Sequence, residues 1–209
     1  IKLAEFIGIM LGDGNLYVTD KAYQIRIAGH ITDDKPYLLE WVKPLIQRIF
    51  EVRIHEKYVP KKNVMYLCIN SKQVAEIIIK CGFPAGRKNK NNVEIPKWIF
   101  GNKEFLKRCV RGLIDTDGFV HPVHKESKYP RIGFVSGIES LRNSFSKATK
   151  ELNFKTTKWT LRMHGWSVSP VGQCTIGNPE DVIRYFKEIE FKNPKYIRDF
   201  NSFCKAPFV

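Results

Sequence analysis

The feature that most constrains the fold is a repeat of the same order of elements in the two halves of the chain. Each half opens with an apolar helical stretch that ends in Asp-Gly, EFIGIMLGDG at 5–14 and RCVRGLIDTDG at 108–118. Two alternating segments, a helix, two more alternating segments and a last helix follow in each half. Both halves predict the order αββαββα, so the chain predicts a duplicated α+β fold.

A stretch rich in Gly, Asn, Pro and Lys, residues 86–101, separates the two copies and predicts a basic linker. We therefore expect an N-terminal repeat over residues 1–95 and a C-terminal repeat over residues 96–209. Two copies of one unit most naturally pack around a pseudo-two-fold axis, which supplies the symmetry that a homodimer would otherwise offer. The protein is accordingly predicted to act as a monomer.

The charge of the chain predicts an anionic partner, since 35 Lys and Arg against 21 Asp and Glu give a net charge of +14. An apolar content of 43% excludes disorder as a description of the whole chain. No apolar run has the ~20 residues of a membrane span, so no membrane partner is expected. The 5 cysteines are odd in number and lack a Cys-x-x-Cys pair. This predicts free thiols in an intracellular compartment, the cytoplasm or an organelle, and not a secreted protein.

Small residues share one face of each Asp-Gly helix. Ala4, Gly8 and Gly12 are spaced by four residues in the first helix, and Gly112 and Thr116 continue the pattern in the second. Such a face lets another backbone approach closely, so we expect the two helices to pack against each other. The alternative is that each small face meets a bulky core side chain.

A carboxylate lies at the end of each of these helices, Asp13 in the first and Asp117 in the second. A helix C-terminus carries partial negative charge, so an acid there is unfavourable by about 0.3–1 kcal/mol unless a cation compensates it. If the helices pair in parallel, the two carboxylates converge beside the terminal carbonyl groups of Gly12 and Thr116. Oxygen ligands of this kind suit Mg²⁺, although Asp-Gly is also a common turn dipeptide. The glycine that follows each acid is expected to adopt the left-handed conformation that ends a helix.

The alternating segments place basic and amide side chains on one face of each predicted strand and apolar side chains on the other. Such side chains can reach base edges in the major groove of DNA. A solvated basic face without sequence preference is the alternative. The predicted DNA-contacting residues are Gln24, Arg26, His30, Arg53, His55, Lys57, Arg131, Lys158, Thr160, Arg162 and His164.

The two Asp-Gly segments, FIGIMLGDG (6–14) and VRGLIDTDG (110–118), resemble the two copies of the LAGLIDADG motif in single-chain homing endonucleases. The second copy lacks only the first two letters and one Ala of the motif. The first copy keeps the Gly, the apolar run and the terminal Asp-Gly. The spacing of the two copies matches the repeat length of the family, so the resemblance covers essentially the whole chain.

The resemblance implies two antiparallel four-stranded sheets that form a DNA-binding saddle around the pseudo-two-fold helix pair. It implies cleavage of both strands of a long, pseudo-palindromic site in double-stranded DNA, leaving short 3′ overhangs. Asp13 and Asp117 would bind the divalent metal, Mg²⁺ or Mn²⁺. The family also places a basic residue near each scissile phosphate, and the matching positions are Lys88 and Lys195, with Lys192 as the rival of Lys195.

Two other functions share a basic saddle of this kind: an RNA maturase that assists the splicing of its intron RNA, and a DNA-binding regulator that does not cleave. A binder has no need for two carboxylates beside a phosphate backbone, because like charges repel unless metal ions intervene. The acids therefore favour the nuclease, although a maturase can retain cutting as a second activity. The chain lacks intein-like splice-junction residues at its ends, and we expect an intron-encoded enzyme.

Overall fold

The computed structural model describes residues 1–122, 130–163 and 170–203. In both halves of the chain a helix, two strands, a helix, two strands and a helix follow one another, as the sequence predicts. The duplicated α+β architecture is confirmed.

The first half contains seven regular elements and two short helical segments. They are helix α1 (Lys2–Gly12), strands β1 (Gly14–Thr19) and β2 (Ala22–His30), a π-helical segment (Tyr37–Val42) that continues into helix α2 (Lys43–Phe50), strand β3 (His55–Val59), a 3-10 turn (Pro60–Lys62), strand β4 (Val64–Ile69) and helix α3 (Lys72–Lys80).

The second half repeats this order and adds a short helix before it and a longer one after it. Its elements are helices α4 (Lys97–Phe100) and α5 (Lys103–Asp117), strands β5 (Gly118–Pro122) and β6 (Pro130–Ser136), helix α6 (Glu139–Glu151), strands β7 (Thr160–Arg162) and β8 (Val171–Ile176), and helices α7 (Pro179–Glu188) and α8 (Pro194–Phe203).

Each half builds one four-stranded antiparallel sheet, with strand order β1-β2-β4-β3 in the first half and β5-β6-β8-β7 in the second. One face of each sheet is apolar and packs on the helices. In the first sheet Ile25 and Ile27 are buried, while Arg26 between them is exposed. This alternation matches the strand period of two residues and leaves the outer face to solvent.

Local signals explain where several helices begin and end. The Ser71 hydroxyl accepts a hydrogen bond from the Val74 N–H and so caps the start of α3. The Asn178 side chain accepts one from the Glu180 N–H at the start of α7. Gly82, which follows α3, has a φ of +95°, a conformation that glycine adopts without strain.

The glycines after the paired acids do not adopt the left-handed conformation that was predicted for them. Gly118 has φ −90° and ψ 179°, and Gly14 likewise lacks a positive φ. A Cβ at Gly118 would lie 2.2 Å from the carbonyl oxygen of Ile114, and one at Gly14 would lie 2.4 Å from the Cα of Met10. Glycine is required here because each strand starts against the last turn of its own helix.

Two predicted strands are shorter than the sequence pattern indicated. Strand β3 begins at His55, so Arg53 precedes it, and β7 begins at Thr160, so Lys158 precedes that strand. In the second case Trp159 turns into the core, where its indole N–H donates to the Ser146 hydroxyl at 2.8 Å. The chain is therefore anchored by an aromatic side chain before it reaches the sheet.

The described ranges also bear on the expectations about thiols and membranes. Cys68, Cys81, Cys109 and Cys174 are free thiols. None of the helices in the described ranges is both long and apolar enough to cross a lipid bilayer.

Candidate active site at the ends of the paired helices

Helices α1 and α5 pack in parallel along their small faces. A Cβ at Gly8 would lie 2.2 Å from the carbonyl oxygen of Cys109, and one at Gly112 would lie 2.6 Å from the carbonyl oxygen of Glu5. Contacts this short are possible only between two backbones. The predicted helix pair is therefore present, and the small faces do not meet bulky core side chains.

The parallel pairing brings Asp13 and Asp117 to the same end of the two helices. A Cβ at Gly12 would lie 3.5 Å from a carboxylate oxygen of Asp117. Removal from solvent raises the pKa of Asp13 to about 7, and the negative charge of Asp117 adds to this rise. Burial also raises the pKa of Asp117. The two acids thus form a close pair whose negative charge is only partly compensated.

Lys88 lies beside the acid pair, between the linker and the end of α1. Its ammonium group donates to the carbonyl oxygen of Leu11 at 3.0 Å and to that of Gly12. Burial lowers the pKa of Lys88, while the carboxylates of Asp117 and Asp13 oppose this shift. Lys88 therefore compensates part of the negative charge at the end of α1, and it occupies the Gly12 carbonyl that the sequence analysis assigned to a metal.

Lys195 approaches the acid pair from the other half of the molecule, on helix α8. It lines a cleft of about 370 Å³ together with Asp13, and its Nζ lies 2.7 Å from Oδ1 of Asp34. Its rival Lys192 donates instead to Glu190 at 2.6 Å. Of the two lysines, it is therefore Lys195 that faces the cleft.

The structure gives Asp34, Asn193 and Asp115 a part in the site that the sequence analysis did not anticipate. Asp34 accepts from the side-chain amide of Asn193 at 3.0 Å as well as from Lys195. The buried Asp115 carboxylate accepts from the backbone N–H groups of Lys192 at 3.0 Å and Asn193 at 3.3 Å. These bonds fix the segment that leads into α8, and so they set where Lys195 lies.

A buried ion pair joins the two halves at the other end of the helix pair. The Arg111 guanidinium lies 2.6 Å from Oε2 of Glu5, and their side chains are 3% and 4% exposed. The indole N–H of Trp41 donates to the same carboxylate at 2.7 Å, and Arg111 donates to the carbonyl oxygen of Ile189 at 3.2 Å. Charges this deeply buried are tolerated only when they are paired and hydrogen-bonded, and here they hold the relative position of α1 and α5. A Glu within the apolar run of α1 was the signal for such a partner.

The acid pair fits a divalent cation in its chemistry. Two carboxylates supply hard oxygen ligands, and the raised pKa of Asp13 reflects negative charge that a cation would compensate. Across the described ranges, no three His, Cys, Asp or Glu side chains lie close enough together to hold a metal by themselves. A cation bound here would take its remaining ligands from water, backbone carbonyls or a substrate phosphate, as Mg²⁺ commonly does.

The outer face of the first sheet carries most of the side chains that were predicted to contact DNA. Gln24 is half-buried and donates to the Asn70 side chain at 3.2 Å. Arg53 is exposed but lies before β3 rather than within the sheet. The residues exposed on the strands themselves are Arg26, His30, His55 and Lys57.

The outer face of the second sheet has the same character. Arg131 on β6 and Thr160 and Arg162 on β7 are exposed, as is Lys158 just before β7. The predicted contact residue His164 lies outside the described residues.

Two outward residues of β1 were missed by the sequence analysis. Asn15 lies opposite Arg26, and Tyr17 lies opposite Gln24 with 54% of its surface exposed. The signal was available, because both alternate with the apolar Leu16 and Val18 in GNLYVT. The outer face of the first sheet therefore extends to its edge strand.

Comparison with solved structures shows the fold. Mesophilic variants of the homing endonuclease I-DmoI give a TM-score of 0.65 at 18% identity, covering 90% of this chain and 94% of that chain. I-DmoI in complex with DNA and Mn gives 0.64 at 18% identity, covering 90% and 96%. The LAGLIDADG homing endonuclease I-LtrWI bound to target DNA gives 0.59 at 12% identity, covering 97% and 89%. The chain has the duplicated fold of single-chain LAGLIDADG homing endonucleases.

Comparison with curated proteins gives partial matches. The replication factor C small subunit of Methanocaldococcus jannaschii is 30% identical over 126 residues, which are 55% of this chain and 6% of that protein. The DNA-directed RNA polymerase subunit Rpo1N of the same organism is 23% identical over 240 residues, 95% of this chain and 18% of that protein. One subunit of the A-type ATP synthase of Pyrococcus abyssi is 29% identical over 146 residues, 69% and 13%. The chain thus spans less than a fifth of the length of these relatives. No known family profile matches it.

Proposed function

We propose that the protein is a site-specific endonuclease that cuts both strands of double-stranded DNA with the help of a divalent metal. The observation that carries the proposal is the acid pair, Asp13 and Asp117, at the end of the helix pair and beside Lys88 and Lys195. A protein that only bound DNA would gain nothing from two acids at this place, because their charge repels phosphate. The solved structures of I-DmoI and I-LtrWI with DNA support DNA, rather than intron RNA, as the partner.

In this proposal Asp13 and Asp117 hold Mg²⁺ or Mn²⁺, with the backbone carbonyls of Gly12 and Thr116 close by. When bound, the metal supplies Lewis-acid stabilisation of the phosphate and a water of lowered pKa. The residues of the chain provide the rest of the environment. The acid pair orients the centre at the junction of the two halves, and burial of the carboxyl groups strengthens every charge interaction within it.

The two lysines supply positive charge on either side of the acid pair. Lys88 comes from the linker and Lys195 from α8, so each half of the molecule contributes one cation to the centre. An ammonium group held beside a phosphate stabilises the negative charge that develops on its oxygens during hydrolysis. We therefore assign one lysine to each of the two strands.

The outer faces of the two sheets would read the sequence of the target. Arginine pairs favourably with guanine and Gln with adenine in the major groove, and Arg26, Arg131, Arg162 and Gln24 are the side chains of this type. Lysines in turns, such as Lys61, would contact phosphates. Two related sheets favour a long, pseudo-palindromic site, and cuts in the two strands that are staggered would leave short 3′ overhangs.

The curated relatives support a module that inserts into host genes. Their names assign them to replication, transcription and ATP synthesis, and the matched segment covers 6%, 18% and 13% of their lengths. A segment shared by proteins of unrelated function is typical of an inserted element. The uninterrupted version of a host gene is therefore the substrate to test first.

The experiment is cleavage of that gene, as a linear duplex spanning the insertion point, with Mg²⁺, Ca²⁺ or EDTA. The variants are Asp13→Asn and Asp117→Asn, and Asp20→Asn is the matched control because it removes an exposed acid from the β1–β2 turn. We expect a discrete double-strand cut with Mg²⁺ by the wild type and the control, and binding without a cut by the two active-site variants.

Two results would contradict the proposal. One is a double-strand cut at the wild-type rate by Asp13→Asn or Asp117→Asn. The other is tight, salt-sensitive binding by the wild type without any cut, which would make the intron RNA the next ligand to test.

A further inference from the structure

The two lysines beside the acid pair are held in different ways. Lys88 donates to the carbonyl oxygens of Leu11 and Gly12, which belong to the same half of the chain as the lysine. Lys195 is held by a carboxylate, Asp34, that comes from the opposite half. The centre is therefore asymmetric although the fold is duplicated.

Asp34 is placed to hold a side chain in one position. Its Oδ1 accepts from Lys195 at 2.7 Å and from the Asn193 amide at 3.0 Å, and its Oδ2 accepts from the His30 N–H at 3.0 Å. The Asp34 side chain is only 13% exposed. The carboxylate is thus fixed to the end of β2 on one side and to the start of α8 on the other.

The second anchor of Lys195 runs through Asn193 to the motif helix of its own half. The Asn193 amide also donates to the carbonyl oxygen of Asp115 at 3.0 Å, and Asn193 is fully buried. Lys195 is therefore positioned relative to α1 through Asp34 and relative to α5 through Asp115. A long, flexible side chain that is fixed at its charged end loses little further freedom when it meets a phosphate.

The corresponding corner of the second half has no such carboxylate. Ser136 ends β6, and its hydroxyl accepts from the Ile138 N–H at 3.1 Å. Within the described residues, Lys88 makes hydrogen bonds to backbone carbonyls and no ion pair.

We propose that Asp34 is a positioning residue that holds Lys195 for the cleavage of one DNA strand, while the other strand depends on Lys88 and not on Asp34. The inference rests on the proposed nuclease function and deepens it. Its consequence is that the two strands are cut by machinery of unequal construction, so that a single substitution can turn the enzyme into a strand-specific nickase.

The test is a cleavage assay on the target duplex in which the two strands carry different end labels. We expect Asp34→Ala to slow the cutting of one strand by about 100-fold, the size of effect that a misplaced group causes, with the other strand cut at the wild-type rate. A nicked intermediate should accumulate. Lys195→Met should slow the same strand, Lys88→Met the other one, and Asp34→Ala combined with Lys195→Met should be little slower than Lys195→Met alone.

Controls separate positioning from a loss of structure. Asp33→Asn removes the neighbouring acid, whose side chain is 53% exposed, and should cut both strands normally. Asp34→Asn keeps the shape and an acceptor oxygen, so it should fold like the wild type and show a weaker slowing of the same single strand. Thermal unfolding and DNA binding in Ca²⁺ should be close to wild type for both.

The outcomes distinguish this inference from the proposed function. If the wild type cuts both strands, and the Asp34 variants slow both strands equally or neither, the positioning role is wrong and the nuclease stands. If the wild type cuts neither strand, the proposed function and this inference both fail.

Discussion

Replacing Gly8 with Ala tests whether the backbone contact between α1 and α5 sets the geometry of the acid pair. The added Cβ would lie 2.2 Å from the carbonyl oxygen of Cys109 and 3.0 Å from its Cα. These are backbone atoms, which cannot rotate away as a side chain would. The two helices must therefore separate by roughly 1 Å to restore an ordinary van der Waals contact.

The expected loss of stability is moderate and the expected loss of activity is large. Overpacking a close interface costs about 1–3 kcal/mol, and the higher helix propensity of Ala offsets about 1 kcal/mol of this. We therefore expect the free energy of unfolding to fall by roughly 1–2 kcal/mol. The same separation displaces Asp13 relative to Asp117, and a displacement of about 1 Å in a catalytic centre can lower the rate about 100-fold.

The assay combines urea denaturation with the rate of double-strand cleavage at saturating protein. Gly137→Ala is the matched control, because the nearest atom to its added Cβ is Cγ2 of Val171 at 4.0 Å. The control should match the wild type in both measurements. A Gly8→Ala protein with wild-type stability and wild-type cleavage rate would refute the idea that the backbone contact positions the acids.

Three further predictions follow from the buried pair, the acid pair and the sheet face. Arg111→Met leaves Glu5 buried without its partner, so the free energy of unfolding in urea should fall by about 3–5 kcal/mol, while Lys72→Met at an exposed pair should change it by less than about 0.5 kcal/mol; equal effects would contradict the buried pairing. In EDTA the wild type should lose stability as pH rises from about 4 to about 7, because the folded state raises the pKa of Asp13 from 3.8 to about 7 and keeps a proton that the unfolded chain releases; Asp13→Asn should reduce this slope, and stability that rises over the window would contradict the shift. Arg26→Ala should relax the preference at one base pair by about 1–3 kcal/mol, measured by competition among variant duplexes, whereas equal weakening on all duplexes would assign Arg26 to a phosphate.

The fold was predictable because its strongest signals are local and occur twice. The repeated order of elements and the small faces of α1 and α5 can both be read within short windows of sequence. The requirement for glycine at Gly14 and Gly118 was also readable, but its reason was not. The predicted left-handed conformation assumed a standard helix end, whereas the actual constraint is the contact between the new strand and the last helical turn.

The site was only partly predictable because its decisive contacts join distant parts of the chain. Lys195 and Asp34 are separated by 161 residues, and no local pattern indicates that they meet. The helix that carries Lys195 did leave a signal, since Asn193-Pro194 repeats the Asn-Pro start seen at α7. The pairing of Glu5 with Arg111 is similar: a charge in an apolar helix predicts a buried partner, but only the fold identifies it.

The most direct test of a single cation-dependent centre is a titration of Mn²⁺ into the protein bound to its target duplex, with free Mn²⁺ followed by electron paramagnetic resonance. We predict saturable binding by the wild type and by Asp20→Asn, and loss of that binding in both Asp13→Asn and Asp117→Asn. Unchanged Mn²⁺ binding in either of these two variants would contradict the assignment of the acid pair as the metal site.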